Sequence, residues 1–449
     1  MILKTLFKIY SDHNCSKVYV KKLSPNDNSR NQVYFGGSFD VLNILPIKEI
    51  ITDNDGDWNS TRYKTKLDFF WVSEEGILTK APEAQLILYP KYPEVRFSGF
   101  LRKSKGGPSE LMTSRIDQRL LFLGVSNDGK IVAYVTSPDS QLSNEFNQLE
   151  NLVDVGIFKE IILEEGVIQL NSRSQLLDEL TRIHNLGWID SKRLDKNRNI
   201  LSCTSSNCGG YTLEAELGIT PNGYSEPDYL GWEIKQFSVK NFNKLNSSTV
   251  TLMTPEPTHG LYIELGIEAF IRNYGYNDKR GRLSRMNFGG IHKFDQTQPS
   301  TNLKLIIEGF DSMTQMITNP NGFIGLLDPK ENVADSWSFI TLLKHWNRKH
   351  ANACYVPSLN RKNAQLYPFS KQQYFYGNNI ILGSATDFSL FLSQIANGNI
   401  YYDPGIKLEL AIEGSRKQNI KRRSQFRIKS GNLTNLYKKN EVINIDLKI

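Results

Sequence analysis

The chain has 449 residues, enough for two or three domains with ample hydrophobic core. Its composition of 39% hydrophobic, 11% aromatic and 22% charged residues is that of an ordinary soluble globular protein. No run of about 18 apolar residues occurs, which excludes a membrane-spanning helix. The net charge of +7 is compatible with a polyanionic partner without proving one.

The first 150 residues are predicted to be mostly β-structure. Short runs rich in β-branched and aromatic residues alternate with turn signals such as Ser24–Asp27, Asp53–Gly56 and Asn127–Gly129. Many short strands at this spacing are typical of a small barrel or sandwich. The runs predicted as strands are Lys17–Lys21, Gln85–Tyr89, Glu94–Phe100, Leu120–Val125 and Ile131–Val135.

A change of pattern near residue 150 predicts a domain boundary. Gln141–Val155 is predicted to be a helix or linker, and Ser174–Leu186 an amphipathic helix because its apolar residues recur at helical spacing. Strands and helices mix from there on, and Ser336–His350 is a further predicted helix. The predicted organisation is a β-rich domain over residues 1–150, a linker over 151–170 and a second domain over 171–449.

Carboxylates and a lysine cluster in the middle of the chain. In a strand, residues at i and i+2 share a face, so Glu233 and Lys235 would point the same way. A bend permitted by Gly231 would let Asp228 reach that face. Two carboxylates and a lysine are what Mg²⁺-dependent phosphodiester hydrolysis requires, because Mg²⁺ prefers oxygen ligands and activates water. The candidate catalytic residues are Glu214, Asp228, Glu233 and Lys235.

Each member of this set is assigned a role. Asp228 and Glu233 are expected to ligate Mg²⁺, with the backbone carbonyl of Ile234 as a further ligand. Lys235 would position the attacking water and offset charge on the phosphate. Glu214 would lie behind, outside the first coordination sphere or as a ligand of a second metal ion. An isolated Glu-x-Lys is usually only a polar strand with surface charges, but the upstream glutamate, the Pro-Asp pair and the flanking glycines favour catalysis.

The part of the chain that holds these candidate catalytic residues resembles the MvaI/BcnI restriction endonucleases and the related mismatch-repair nicking enzyme MutH. The resemblance covers roughly residues 171–449 and implies a two-lobed PD-(D/E)xK fold, so the whole chain is predicted to be of the α+β class. It also implies a monomer that cleaves double-stranded DNA at a short site related to CCWGG or CCSGG. The matching residues are Thr212–Glu214, Leu217–Gly218, Asn222–Gly223, Pro227–Asp228, Gly231–Lys235, Thr251–Pro257, Ser424–Lys429 and Leu433–Tyr437.

The first domain resembles the effector DNA-binding domain of EcoRII in Val20–Asp27 and Tyr92–Lys105. That domain is a pseudobarrel, shared with a class of plant transcription factors, in which two loop-rich arms grip the major groove. The resemblance implies that the first arm carries Lys21, Lys22, Asn26 and Arg30, and that the second carries Arg96, Arg102, Lys103 and Lys105.

Two further segments are rich in cations. Ser415–Lys439 has no acidic residue and interleaves its cations with apolar residues, which indicates a structured phosphate-binding surface rather than a merely solvated face. Asn277–Lys293 is a second basic loop that could clamp a duplex backbone. Arg423 or Arg427 could also make a bidentate contact to guanine. The DNA-binding candidates in these segments are Arg280, Arg282, Arg285, Arg422, Arg423 and Arg427.

Cysteines and histidines are not expected to carry chemistry. Cys203 and Cys208 form no CxxC pair, and no second Cys/His pair follows them, so a structural zinc is not expected. His345 and His350 lie five apart on the predicted helix and do not share a face as a zinc pair would. The four cysteines of the chain and the absence of a secretory leader predict a reducing, cytoplasmic location.

The sequence therefore predicts a type II, type IIE-like restriction endonuclease that hydrolyses DNA with Mg²⁺, with CCWGG as the expected site. Its expected partners are double-stranded DNA, with two sites bound at once if the first domain takes a second copy, and a cognate DNA methyltransferase in the host. No membrane partner is expected, and the protein is expected to be a monomer. Two alternatives stay open: a MutH-like strand-nicking repair endonuclease, and a non-catalytic DNA-binding regulator with a decayed nuclease domain.

Overall fold

Two compact units make up the chain, Met1–Ser172 and Arg173–Ile449. Strands predominate in both units and helices accompany them, so the predicted α+β class is confirmed at that level. The pseudobarrel and the two-lobed nuclease fold stay predictions. The computed structural model describes residues 1–449 except 26–31, 37–40, 43, 54–61, 90–93, 151, 165–166, 169–171, 221–227, 351, 363–371, 410–418 and 448–449.

The first unit is built mainly from short strands. Four of the five runs predicted as strands lie within strands, and the fifth, Glu94–Phe100, extends two residues beyond its strand, which ends at Ser98. Its helices α1 to α3 are Leu3–Asp12, Ser109–Thr113 and Gln141–Asn147. Its strands β1 to β13 are Cys15–Leu23, Val33–Gly36, Ile51–Asp53, Arg62–Lys66, Phe69–Val72, Leu78–Lys80, Gln85–Tyr89, Glu94–Ser98, Arg119–Ser126, Ile131–Thr136, Val153–Val155, Phe158–Glu164 and Val167–Ile168.

Two sheets organise these strands. One has the order β11-β12-β1-β9-β10-β5-β6, with β13 paired to β12, and the other has the order β2-β8-β7-β4-β3. Helix α1 forms because Leu3, Leu6, Phe7 and Tyr10 recur at helical spacing, and all four are buried in one core with strands of the first sheet. This burial ties the amino terminus of the chain to the sheet.

The segment predicted as a linker is part of the first unit. Strand β12 pairs antiparallel with β1. Its residues Phe158, Ile161 and Leu163 are buried, and the buried carboxylate of Glu160 accepts a hydrogen bond of 2.9 Å from the hydroxyl of Tyr19. A linker is predicted here from the sequence, but the pairing partner of this strand, β1, lies at the other end of the unit.

The second unit contains the candidate catalytic stretch. Its helices α4 to α9 are Ser172–Asn185, Cys208–Glu216, Leu261–Glu264, Gly266–Tyr274, Phe339–His350 and Phe388–Ala396. Short 3₁₀ helices span Ser430–Leu436 and Ile445–Leu447. Its strands β14 to β34 are Ile189–Asp190, Lys192–Leu194, Ile200–Ser202, Glu233–Ser238, Thr249–Met253, His259–Gly260, Tyr276–Asn277, Arg285–Gly289, Lys304–Glu308, Phe310–Asp311, Met316–Ile317, Phe323–Leu327, Val333–Ser338, Asn352–Lys362, Gln372–Tyr376, Asn379–Ser384, Ile400–Tyr402, Gly405–Glu409, Asn419–Lys421, Phe426–Lys429 and Lys439–Asn444.

The sheet that carries the candidate site is centred on β27. Strand β17 runs parallel to β27, whereas β28 and β29 pair with β27 antiparallel. Strand β14 pairs with β28, and β34 pairs with β29. The predicted helix at Ser174–Leu186 corresponds to α4, whose Leu176, Leu180 and Ile183 pack in one core with Ile234 and Val356.

Smaller sheets complete the second unit. Their strand orders are β18-β33-β30, β19-β26-β25-β22, β20-β21-β31-β32, β15-β16 and β23-β24. The predicted helix at Ser336–His350 begins three residues later, at Phe339, because Ser336 to Ser338 complete β26. The Ser338 hydroxyl accepts a hydrogen bond from the backbone N–H of Thr341 and so caps the new helix.

A disulfide joins Cys203 to Cys208, the first residue of α5. The sequence pattern of this pair suggests at most a zinc half-site and does not predict the bond. Cys15 and Cys354 are buried free thiols. In the part of the chain that the structure describes, no helix is long and apolar enough to cross a membrane.

The extended boundary of the first unit can be tested with two fragments. A fragment of residues 173–449 is expected to be soluble, whereas one of residues 151–449 retains β11 and β12 without β1. Phe158, Ile161 and Leu163 would then lose their buried surroundings, so the longer fragment is expected to bind more of the dye ANS and to aggregate. Equal dye binding and equal sedimentation of the two fragments would contradict the assignment of residues 153–164 to the first unit.

Candidate active site

Strand β17 places a buried ion pair on one face of the central sheet. Glu233 and Lys235 are two residues apart in the strand, and the ammonium of Lys235 donates to Glu233 Oε1 over 2.8 Å. Glu233 is 2% exposed and the side chain of Lys235 is 16% exposed. The alternation of a strand therefore brings the two side chains together, as the spacing predicts.

A tight turn brings Asp228 to the same place. The turn Tyr229–Trp232 is closed by two backbone hydrogen bonds between its end residues. Leu230 and Gly231 have φ angles of 47° and 80°, the left-handed conformation that two-residue hairpin turns of this kind require. Asp228 Oδ2 then accepts a hydrogen bond of 3.0 Å from the backbone N–H of Ile234. The bend expected at Gly231 is present, and it fixes the carboxylate beside β17.

Helix α5 carries Glu214 and packs closely against β17. A Cβ atom at Gly209 would lie 2.6 Å from the side-chain oxygen of Gln236, so the missing side chain of glycine lets the helix lie against this residue as it stands. The hydroxyl of Thr212 accepts a hydrogen bond from the backbone N–H of Lys192 and donates one to its carbonyl. These contacts fix the position from which Glu214 faces the ion pair.

Three carboxylates act electrostatically on Lys235. Burial alone would lower the pKa of Lys235, but the negative charges of Glu233, Asp228 and Glu214 outweigh it and raise the pKa above its ordinary value. The side chain is therefore an ammonium ion at neutral pH. It can donate hydrogen bonds and stabilise negative charge, which agrees with the role assigned to it from the sequence.

Residues 177–437, which contain this arrangement, match the model of the MvaI/BcnI restriction endonuclease family. The chain belongs to that family. Two similar solved structures are a complex of restriction endonuclease MvaI with its cognate DNA substrate and MvaI in the absence of DNA. The first is 19% identical with a TM-score of 0.44, and the second is 18% identical with a TM-score of 0.33. Each comparison covers 61% of this chain and 98% of the other. A search of curated proteins found no match.

Restriction endonucleases of the MvaI/BcnI family typically use divalent metal ions. In the described residues, no group of three or more His, Cys, Asp or Glu side chains is arranged to hold a metal ion. The donors present are the carboxylates of Asp228 and Glu233 and the backbone carbonyl of Ile234, the residue after Glu233. This oxygen set fits Mg²⁺, which is usually held by one or two carboxylates together with water and substrate phosphate.

The arginines predicted to bind DNA in the second unit differ in whether a carboxylate of the protein already pairs with them. Arg285 in β21 lies 3.6 Å from Asp278 and 3.7 Å from Glu409, and Arg427 in β33 lies 2.6 Å from Asp403. Arg280 and Arg282 are exposed in the loop between β20 and β21, and Arg422 and Arg423 are exposed after β32.

One face of the β20-β21-β31-β32 sheet gathers further cations. Lys407 lies opposite Asn287 on one side and Lys421 on the other, so the three side chains form a row. The opposite face of the same strands is apolar, with Phe288 and Leu408 fully buried. The sequence analysis missed Lys407 and left Lys421 out of its candidates because only the strand register puts them side by side.

These cations repel one another. Burial is the largest cause that lowers the pKa of Lys407, and the charges of Arg285, Lys421 and Arg423 lower it further. We name the surface formed by Arg285, Lys407, Lys421 and Arg423 the cationic face. A polyanion bound there would relieve this repulsion.

In the first unit, the candidate DNA-binding arms are only partly described. Lys21 and Lys22 lie at the end of β1, whereas Asn26 and Arg30 lie outside the described residues. The second-arm residues include two that are already paired: Arg96 donates to Glu94 over 3.0 Å and Lys103 to Glu83 over 2.7 Å. Arg102 and Lys105 lie in the loop after β8.

The histidines near the basic segments have structural partners. His292 is fully buried, and its Nε2 lies 2.8 Å from the hydroxyl of Thr301. Burial lowers the pKa of His292 to about 4, so the ring is neutral.

The charge balance at Lys235 predicts the effect of Glu233→Gln. The Glu233 carboxylate makes the strongest interaction that favours the ammonium form of Lys235. Without it, the lowering of the pKa by burial is less fully offset, so the pKa of Lys235 is expected to fall. NMR titration of ¹³Cε-labelled lysine measures this directly. Asp387→Asn, which removes the carboxylate 2.7 Å from Lys438 in the same unit, is the control and should leave Lys235 unchanged. An unaltered Lys235 titration in Glu233→Gln would refute the proposed coupling.

Proposed function

We propose that the protein is a Mg²⁺-dependent type II restriction endonuclease that hydrolyses both strands of DNA at a short specific site. The observation that carries this proposal is the Asp228–Glu233–Lys235 arrangement within the segment that matches the family model. CCWGG is the site we propose, on the resemblance of the sequence motifs.

Lys235 supplies positive charge where the reaction needs it. Its ammonium, held by Glu233, donates hydrogen bonds toward the attacking water and the phosphate oxygen that gains negative charge. When bound, Mg²⁺ polarises the phosphate and lowers the pKa of a coordinated water.

The carboxylates are set before substrate arrives. The N–H of Ile234 fixes the orientation of Asp228, so little rearrangement is needed to bind a cation. Glu233 is oriented by Lys235, and Glu214 adds negative charge from α5. Together they compensate the ammonium until the metal ion and the phosphate share the site.

The cationic face is proposed to contact DNA phosphates in a sequence-independent way. Counterion release from the duplex is the main source of affinity in such contacts. Lys407 and Lys421 are suited to it because, in the described part of the chain, no ion pair engages either of them. Arg422, exposed beside the same sheet, is proposed to extend this contact, and either Arg422 or Arg423 of the cationic face is proposed to contact base edges.

The first unit is proposed to bind a second copy of the DNA site and so to stimulate cleavage, as in type IIE enzymes. The exposed cations at the end of β1 and after β8 support this assignment. Action as a monomer on each strand in turn, and a cognate methyltransferase that protects the host, are parts of the same proposal.

Cleavage of a sequenced plasmid tests the catalytic assignment. Wild-type protein with Mg²⁺ is expected to give linear products whose run-off sequences end within CCWGG sites. Asp228→Ala and Lys235→Met are expected to lower kcat by roughly 10²–10³-fold, because the first removes a proposed ligand of the metal ion and the second removes the positive charge that offsets charge on the phosphate.

Glu216→Gln is the matched control for these variants. Glu216 lies on α5 close to Glu214, but its carboxylate pairs with Lys192 over 2.5 Å and with Arg182, so activity should be retained. Full activity of Asp228→Ala would remove the proposed site. Accumulation of open-circular DNA without linear product would favour the nicking alternative, and binding without any strand break would favour the regulator.

The cationic face predicts a change in salt dependence. The logarithm of the DNA association constant falls as the logarithm of the salt concentration rises. In the double variant Lys407→Gln, Lys421→Gln this slope should become less steep by about 1.8, since each phosphate contact contributes roughly 0.9. The loss should be equal on specific and unrelated duplexes, measured with Ca²⁺ in place of Mg²⁺. Lys438→Gln, a cation paired with Asp387, is the control. An unchanged slope in the double variant would exclude this face from phosphate contact.

A further inference from the structure

Three buried side chains form a hydrogen-bonded chain that the proposed reaction does not use. The hydroxyl oxygens of Tyr355 and Tyr437 lie 2.8 Å apart, and Nδ1 of His350 lies 3.2 Å from the Tyr437 hydroxyl. Nε2 of His350 lies 3.1 Å from the carbonyl oxygen of Leu252. Tyr355 and His350 are fully buried and Tyr437 is 4% exposed.

The Leu252 carbonyl fixes the direction of one of these bonds. A carbonyl oxygen only accepts, so His350 must carry a proton on Nε2 and donate to Leu252. A second hydrogen bond joins Nδ1 of His350 to the hydroxyl of Tyr437, and a third joins the hydroxyls of Tyr437 and Tyr355. The His350 ring is also stacked on Trp346, with ring centroids 4.1 Å apart. Tyr437 is therefore held from two sides by its hydroxyl group.

The strand register places this chain beside the candidate active site. Ala353 lies opposite Glu233 in β17, and Gly383 of β29 lies opposite Ala353. The side chains of residues paired in this way share a face of the sheet. On this face, the neighbour of Glu233 in β27 is therefore only the methyl group of Ala353, and the next neighbour, Gly383 in β29, has no side chain.

The ring of Tyr437 fills that space. A Cβ atom at Gly383 would lie 2.2 Å from the ring, so the ring rests directly on the backbone of β29. Tyr355 lies opposite Lys235 in the neighbouring row of the same face. After burial, the carboxylate of Glu233 is among the causes that raise the pKa of both tyrosines, which agrees with this proximity.

We propose that Tyr437 is a positioning residue for Glu233. Its ring, tied by Tyr355 and His350, forms the wall that keeps the Glu233 carboxylate turned toward Lys235 and Asp228. This inference rests on the proposed function. Groups that orient a metal-binding carboxylate without touching the metal typically change metal affinity or activity by about 10- to 100-fold when they are removed.

The test uses Tyr437→Phe, His350→Gln and the double variant in the full-length chain. Three quantities are measured: Mn²⁺ affinity without DNA by electron paramagnetic resonance, kcat and KM on a short duplex, and duplex Kd in Ca²⁺. Tyr437→Phe is expected to lower Mn²⁺ affinity and kcat by about tenfold each, with KM and Kd unchanged. The double variant should be no worse than the more impaired single variant, because both cut the same chain.

Tyr10→Phe is the matched control. Tyr10 is fully buried in the first unit, where its hydroxyl donates one hydrogen bond to the Phe122 carbonyl over 3.3 Å. Loss of a buried phenol there should leave all three quantities unchanged. Gly383→Ala displaces the Tyr437 ring by another route and is expected to reproduce the loss even if His350→Gln does not fold.

Wild-type Mn²⁺ affinity and kcat in both Tyr437→Phe and Gly383→Ala would overturn the proposal and leave Tyr437 a purely structural role. A different result would show that the proposed function is wrong. If wild-type protein cleaves no DNA in Mg²⁺, the nuclease assignment fails, whereas the Mn²⁺ affinity of Tyr437→Phe still decides whether Tyr437 positions Glu233.

Discussion

The buried ion pair between Glu233 and Lys235 is the constraint on which the second unit depends. Removing a carboxylate and an ammonium from water is costly, and if either partner is lost the other becomes an uncompensated buried charge, at a cost of about 3–5 kcal/mol. The pair is held at 2.8 Å because both side chains project from one face of β17. The parallel pairing of β17 with β27 places Tyr355 beside Lys235 on this face, and Glu233 is 2% exposed. For stability, Glu233 and Lys235 must stay paired with each other. For the proposed reaction, the same two side chains must interact with a metal ion and a phosphate.

Close backbone approach is what makes room for such a site. Gly209 lets α5 approach Gln236, and Gly383 lets the ring of Tyr437 lie on β29. The left-handed turn at Leu230 and Gly231 returns the chain so that Asp228 meets the N–H of Ile234. A β-branched residue at any of these positions would move a carboxylate rather than delete one. Residues that take no part in the reaction, most of them glycines, thus determine the positions of the reactive side chains.

The sequence predicts the part of the site that is local. Glu233, Lys235, Asp228 and the bend at Gly231 lie within one short stretch, and strand periodicity suffices to bring them together. What it does not predict depends on register between distant segments. Tyr355, Tyr437 and His350 come from β27, from the residue after a 3₁₀ helix and from the end of α8, and nothing in their spacing connects them.

The same distinction holds outside the site. Strand β12 looks like a charged linker until β1, more than a hundred residues earlier, supplies its partner. Lys407 belongs to no basic run, and only its pairing with Lys421 and Asn287 puts it on the cationic face. The disulfide between Cys203 and Cys208 was also missed, because their spacing was weighed only against metal-binding patterns.

Charge compensation separates the cations that the sequence alone treats as equivalent. Arg96, Lys103 and Arg427 each already face a carboxylate within 3.0 Å, so a phosphate must first displace that partner. Among the described residues, Lys407 and Lys421 form no ion pair and face each other across the strands, so they repel one another. Because affinity for a polyanion depends on charge that is still uncompensated, a basic run in the sequence overstates the contribution of paired arginines. Two lysines aligned across strands can contribute more than a longer run of paired cations.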